Sequence, residues 1–269
     1  MIKMGFSKDV LVVTVFVLSP LLIATFVFPV NGATDVDILS HTDFMDSYGS
    51  YHIVGEVINV GDQPARFVKV VATFYDSSNV VIATDFTYTE LDVILVGRKS
   101  PFDILFTDEG QIPKIHHYSL SITFSYSASR LIGLQILSNS SYTDHYGSMH
   151  IVGDIKNIGE STTTFVKVIA TFYDSTGNVM DCDFTFSELD ELVPNQISPF
   201  EILYTRDERI PFIETYVLTA ESSQYAIVPE LSSMLIAMLF MIGTVLAVVA
   251  CKKNSACVGS RLAKYQKSD

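Results

Sequence analysis

Tyr48-Gly49-Ser50-Tyr51-His52-Ile53-Val54-Gly55-Glu56 returns 98 residues later as Tyr146-Gly147-Ser148-Met149-His150-Ile151-Val152-Gly153-Asp154. Phe67-Val68-Lys69-Val70-Val71-Ala72-Thr73-Phe74-Tyr75-Asp76 returns at the same offset as Phe165-Val166-Lys167-Val168-Ile169-Ala170-Thr171-Phe172-Tyr173-Asp174. Ser100-Pro101-Phe102 and Ile112-Pro113 come back as Ser198-Pro199-Phe200 and Ile210-Pro211. An internal repeat decides architecture before any local reading, and two copies mean tandem units, because a solenoid needs at least three. Each copy is close to the ~100 residues of an immunoglobulin-like sandwich.

The repeated segments read as strands. In residues 51–59, positions 51, 53, 55 and 57 are apolar or Gly, while His52 and Glu56 alternate with them. In residues 67–76, Val68, Val70, Ala72 and Phe74 share one face, and Lys69, Thr73 and Tyr75 the other. The second copy repeats this with Val166, Val168, Ala170 and Phe172 inward and Lys167, Thr171 and Tyr173 outward. A period of two predicts strands with one buried and one wet face. Asn59-Val60-Gly61-Asp62 and Asn157-Ile158-Gly159-Glu160 close one strand of each copy, with Asn and Gly suited to positive φ. Asp174-Ser175-Thr176-Gly177-Asn178 reads as a hairpin turn, and its counterpart, residues 76–79, as one residue shorter. With no Trp in the chain, Val, Ile, Leu and Phe must fill both cores.

The chain has 269 residues, a net charge of −13, 48% hydrophobic residues and a mean hydropathy of +0.34. That is too apolar for a disordered chain. The apolar excess sits at the two ends. Residues 10–30 follow Lys3 and Lys8 and precede small residues, as in an export signal or an N-terminal anchor. Residues 231–251 carry no charge and are followed by Lys252 and Lys253. Twenty or so such residues cross a bilayer as a helix, and the basic flank stays inside. The expected organisation is therefore a signal or anchor over 1–33, a first β-sandwich over 34–126 and a linker over 127–133. A second β-sandwich follows over 134–224, then a stalk over 225–230, a span over 231–251 and a basic cytoplasmic tail over 252–269. The fold class expected is all-β: two tandem immunoglobulin-like β-sandwich domains plus one C-terminal transmembrane helix.

The exported part holds 10 basic and 28 acidic residues, which argues against nucleic acid and other anionic partners. No His-Glu-x-x-His arrangement, zinc-spaced Cys pair, nucleophile elbow or phosphate-binding Gly loop is present in the sequence. His52 and His150 occupy equivalent outward positions and read as surface strand histidines; His116-His117 reads as solvated. Glu90-Leu91-Asp92 and Glu188-Leu189-Asp190-Glu191 are acidic loop clusters without the spaced Asp pattern of a calcium loop. Cys182, near Ala83 in the alignment of the copies, reads as a small buried hydrophobe, and Cys251 and Cys257 as membrane-edge and tail residues. Asn139-Ser140-Ser141 is a glycosylation sequon. No catalytic, cofactor-binding or metal-binding residue is assigned and no cofactor is expected. The expectation is a non-enzymatic, membrane-anchored surface protein whose modules meet envelope or surface proteins. A single-span sensor or accessory subunit of a membrane complex is the second reading, and an uncharacterised surface enzyme the third.

The copies resemble the FxLYD-type domain, a small β-sandwich module of prokaryotic surface proteins, through residues 54–61 and 68–76 and their counterparts 152–159 and 166–174. Ala72 and Phe74, like Ala170 and Phe172, stand where that motif has Phe and Leu. CARDB-type adhesion modules share the Asn-x-Gly and strand pattern. Val228-Pro229-Glu230-Leu231, the apolar stretch and Lys252-Lys253 look like archaeal PEF-type sorting signals. The resemblance implies surface display and no catalytic residues.

Overall fold

The computed structural model describes residues 35–227. The apolar stretches 10–30 and 231–251 and the basic tail lie outside the described residues. Within them the chain is all-β, its only helical pieces being short 3-10 turns at Ile112–Lys114 and Ile210–Phe212. Among the described residues no helix is long and apolar enough to cross a membrane.

The first copy contributes β1 (Val36–Met45), β2 (Tyr51–Asn59), β3 (Ala65–Tyr75), β4 (Val81–Tyr88), β5 (Val93–Ile94), β6 (Lys99–Phe106) and β7 (His117–Tyr126). They form a sheet β1-β2-β6 and a sheet in which β3 is flanked by β4 and β7, with β5 also on β3. Ile53, Val57, Phe102 and Ile104 from the first sheet meet Val68, Val70, Ala72 and Phe74 from the second in one core. The alternation read along residues 67–76 thus points the residues it marked as inward into that core.

The second copy supplies β8 (Leu131–Thr143), β9 (Met149–Asn157), β10 (Thr163–Thr164), β11 (Lys167–Tyr173), β12 (Val179–Phe186), β13 (Glu191–Leu192), β14 (Ile197–Tyr204), β15 (Thr215–Glu221) and β16 (Tyr225–Ile227). Ile151, Ile155, Val166, Val168, Ala170, Phe172, Phe200 and Ile202 repeat the first core position by position. Here the two layers are continuous. β16 pairs antiparallel with β15 and parallel with β8, giving the order β12-β11-β15-β16-β8-β9-β14. β16 occupies the first half of the segment read as a stalk, and Leu131–Gly133, read as linker, begin β8. Residues 127–130 alone connect β7 to β8.

Two turn readings change. The hairpin turns are equally long: Asp76 N–H donates to the Val80 carbonyl as Asp174 N–H does to that of Asn178, and Asn79 (φ 61°) takes the left-handed place of Gly177 (φ 81°). Asn tolerates that conformation because its short polar side chain bonds locally. Asn59 and Asn157 are not left-handed residues at all. Each is fully buried at a strand end, where its side chain ties three backbone groups together. Asn157 Nδ2 donates to the Ser161 and Leu192 carbonyls, and its Oδ1 accepts from Gly159 N–H; Asn59 does the same with Gln63, Ile94 and Gly61. The glycine is needed for space rather than for φ, since a Cβ on Gly159 would sit 2.3 Å from the Tyr225 ring.

The larger difference concerns the outward faces. His52, Val54 and Glu56 on β2 are all buried, as are Ile169 and Thr171 on β11. Alternation identifies the face that turns away from a copy's own core. It does not say whether the other copy covers it. Here the outer face of β2 and β6 packs on the outer face of β11 and β12, so the copies join head to tail through unlike surfaces.

Candidate functional site

The seam between the copies gathers His52, Glu56, Asp181 and Glu221, the buried acidic and histidine side chains among the described residues. Its apolar part is Val54, Val179 and Cys182, with Phe44 and Tyr173 against them, and Ile169 reaches into the first copy's core. Around it, polar groups pair across the copies. Tyr173 Oη donates across the seam to Glu56 Oε1 at 2.5 Å, and Lys99 Nζ, from the same copy as Glu56, donates to its Oε2 at 2.8 Å. Lys167 Nζ donates to the Glu90 carbonyl (2.9 Å) and carboxylate while lying 4.0 Å from the Phe184 ring centroid. Asp92 N–H and Arg130 Nη1 each donate to the Glu221 carboxylate at 2.7 Å. Burial pushes the Glu221 carboxyl up to about 7, against the pull of the Asp92 amide and Arg130.

The centre is Asp181, fully buried on β12. It accepts from Tyr204 Oη at 2.6 Å and from Arg206 Nη1, and Arg209 Nε lies 3.5 Å away. That Nε is the one buried side-chain nitrogen among the described residues without a hydrogen bond. A carboxylate this deep stays charged only if cations and donors surround it. Arg206 then carries the network across the seam: its Nη2 donates to Asp103 Oδ2 at 2.9 Å. Asp103 is joined by His52 Nδ1 at 2.9 Å, and His52 Nε2 lies 3.4 Å from Asp46 Oδ2. Phe44 stacks flat on the His52 ring (centroids 4.8 Å apart), and the Arg209 guanidinium sits 3.6 Å from the Phe44 centroid.

Burial alone would push the His52 imidazole down, but hydrogen bonding and the charge of Asp103, with help from Asp46, raise its pKa above the usual 6.5 even with Arg206 close by. A group whose folded pKa is raised binds its proton more tightly in the folded state. Its stabilisation is therefore complete below the unfolded pKa and fades as pH rises through the folded one. His52 and Glu221 both behave this way, so stability is expected to decline as pH rises from about 4.5. Thermal melts across pH 4.5–8 check this. Glu221→Gln should reduce the decline between about 4.5 and 7, leaving the share of Asp183, whose carboxyl is pushed up to about 6 by burial. His52→Gln should reduce the part above 6.5, leaving the share of His150, whose pKa the Glu201 hydrogen bond raises.

The sequence-identified residues fall into three groups. His52, Glu90, Asp92 and Cys182 lie at the seam. His52 is a buried partner of two carboxylates rather than a surface histidine, because the second copy covers it. Glu90 and Asp92 act as inter-copy anchors. Cys182 is buried as expected, with burial pushing its thiol well up, which leaves it inert. It faces Thr171 as Thr84 faces Thr73, so its counterpart is Thr84, and Asp181 is the counterpart of Ala83. His150, Glu188, Asp190 and Glu191 lie on the second copy away from the seam. His116 and His117 are exposed, His117 stacking on Tyr75. Among the described residues no group of three or more His, Cys, Asp and Glu could hold a metal ion.

Asp181, Tyr204, Arg206 and Arg209 were not singled out from the sequence. Their signal was there: they stand where the first copy has Ala83, Phe106, Asp108 and Gln111, four departures from the repeat that converge in space. Beside them a cleft of about 710 Å³ opens between the copies, lined by Ser40, His41, Thr42, Tyr118, Asp174 and Arg209 among others. Its charged wall is already engaged, since Arg209 Nη2 donates to the Met180 carbonyl at 2.7 Å and His41 Nδ1 pairs with the Tyr118 hydroxyl at 2.8 Å.

No protein-family model matches the chain. No curated protein matches it either. Among solved structures, red sea bream transglutaminase is similar over 72% of this chain and 30% of its own, at 7% identity and a TM-score of 0.24. Exo-chitosanase CsxA of Amycolatopsis orientalis is similar over 70% of this chain and 26% of its own, at 10% identity and a TM-score of 0.26. The chain thus spans less than a third of the length of either enzyme.

Proposed function

We propose that the chain is a non-enzymatic, membrane-anchored surface protein that displays two immunoglobulin-like β-sandwich modules as one stiff body. The observation that carries this reading is the seam. Its hydroxyl, carboxylate and guanidinium groups are spent on one another: Asp181 is ringed by Tyr204, Arg206 and Arg209, and Glu56 is held by Tyr173 and Lys99. A catalytic acid, base or nucleophile must be able to reach a substrate proton or carbon, whereas these groups hold one another, and Tyr173 on Glu56 and Arg206 on Asp103 bind the copies together. A fixed geometry suits display, because a partner then meets a preorganised surface and little ordering entropy opposes binding.

In this reading residues 231–251 span the membrane, residues 252–269 stay inside, and both modules lie outside. The resemblance of the copies to FxLYD-type or CARDB-like modules, and of the C-terminal segment to a PEF-like anchor, supports this layout. Protease added to intact cells is expected to remove an epitope placed in either copy and to spare one fused after Asp269. Protection of both copies would overturn the topology. Surface cross-linking is expected to capture envelope or surface proteins; capture of cytoplasmic signalling subunits instead would favour the sensor reading.

A further inference from the structure

The constellation that receives Arg206 on the first copy is built a second time. Phe44, Asp46, His52 and Asp103 correspond to Tyr142, Asp144, His150 and Glu201. Tyr142 stacks on His150 with centroids 4.6 Å apart and planes 4° apart, as Phe44 does on His52 at 4.8 Å and 2°. His150 Nδ1 lies 2.7 Å from Glu201 Oε1 and its Nε2 3.3 Å from Asp144 Oδ2; the matching distances in the first copy are 2.9 and 3.4 Å. The aromatic plate, the histidine and both carboxylates are thus already in place.

On the first copy Asp103 then accepts from Arg206, and Asp103 and His52 are 17% and 4% exposed. On the second copy no arginine among the described residues reaches Glu201, and Glu201 and His150 are 49% and 16% exposed. The rest of the docking face also recurs: Glu56 becomes Asp154, Glu90 becomes Glu188, and Val54 becomes Val152.

We propose that this face of β9 and β14 is a vacant docking site for a separate protein that presents a β-sheet face bearing an arginine, the guanidinium lodging on Glu201 beside His150. The inference deepens the display reading and rests on it for the site being open to other proteins. Arginine suits it because a planar, permanently charged fork pairs with carboxylate and stacks on an aromatic plate, which Lys does less well. The occupant is not the first copy of a second molecule, although that copy keeps Lys69, Val71, Thr73, Tyr75 and Val81 at the matching positions. Asp108 and Gln111 stand where the second copy has Arg206 and Arg209, so Glu201 would meet a like charge. That exchange stops a heterologous interface, which does not close on itself, from running on into a filament.

The two substitutions Asp108→Arg and Gln111→Arg turn the chain itself into the probe, because residue 108 is exposed and residue 111 is only half-buried. In mild detergent the full-length wild-type chain is expected to sediment as a monomer. The double variant should form head-to-tail oligomers at a concentration at least tenfold lower, and Glu201→Lys added to it should return it to monomer. Adding V152C and T84C to the double variant should give a disulfide-linked ladder, since Val54 and Cys182 mark that contact inside the molecule. A double variant that sediments like wild type, oligomers that survive Glu201→Lys, or wild-type chains that form the same ladder would each overturn the proposal. The display reading is tested separately, on intact cells, so the two can fail independently.

Discussion

Arg206→Ala is expected to cost the folded chain about 3–5 kcal/mol, the range for removing one partner of a buried ion pair. The large effect comes from what is left behind. Asp181 is fully buried, and without Arg206 it keeps Tyr204 and the imperfectly placed Arg209 but loses its best cation. Asp103 loses its link to the second copy at the same time. The triple variant Asp181→Ala, Tyr204→Phe, Arg206→Met should recover at least half of the loss. It restores the apolar set that the first copy carries at Ala83 and Phe106, and replacing a whole buried ionic group by apolar residues is often neutral. Chemical denaturation of the three proteins at pH 6 measures both numbers.

Asn157→Leu is expected to destabilise by about 3 kcal/mol or more. Leucine has nearly the right size and greater hydrophobicity, so a packing argument alone would predict little change. The loss is polar: the Ser161 and Leu192 carbonyls lose their donor and Gly159 N–H its acceptor, in a place where the asparagine is fully buried. Each buried backbone group left unsatisfied costs about 1–3 kcal/mol. Asn59→Leu should behave alike, since it serves Gln63, Ile94 and Gly61 in the same way. Asn195→Gly is the contrast. It sits at φ 68° where the first copy has Gly97 at 73°, so stability should change by no more than about 0.5 kcal/mol.

The strands and their inward faces were legible because a period of two and a 98-residue recurrence are both written in the residues. Val68, Val70, Ala72, Phe74 and their four counterparts are all buried in the cores. The seam was not legible by the same rule. His52 and His150 look identical in sequence, yet one is covered and the other is not, because each copy contributes a different outer face to the contact. Periodicity sees one copy at a time and has no term for its neighbour. The Asn-x-Gly pair was correctly placed at a strand end but given the wrong job: the asparagine is a buried tie, and the glycine leaves a gap, for Tyr225 at Gly159 and for Asp35 at Gly61. The second copy's β16 was hidden for a similar reason, since three residues are too few to show alternation.

Asp103 and Arg206 belong to different copies and meet only at the seam, so a double-mutant cycle on the pair tests the head-to-tail joining most directly. Asp103→Ala, Arg206→Ala and the double variant should give a coupling energy of about 1–3 kcal/mol, as expected for a charged pair in one network. Additive losses, with a coupling indistinguishable from zero, would mean that the two side chains never touch and that the copies are not joined as described.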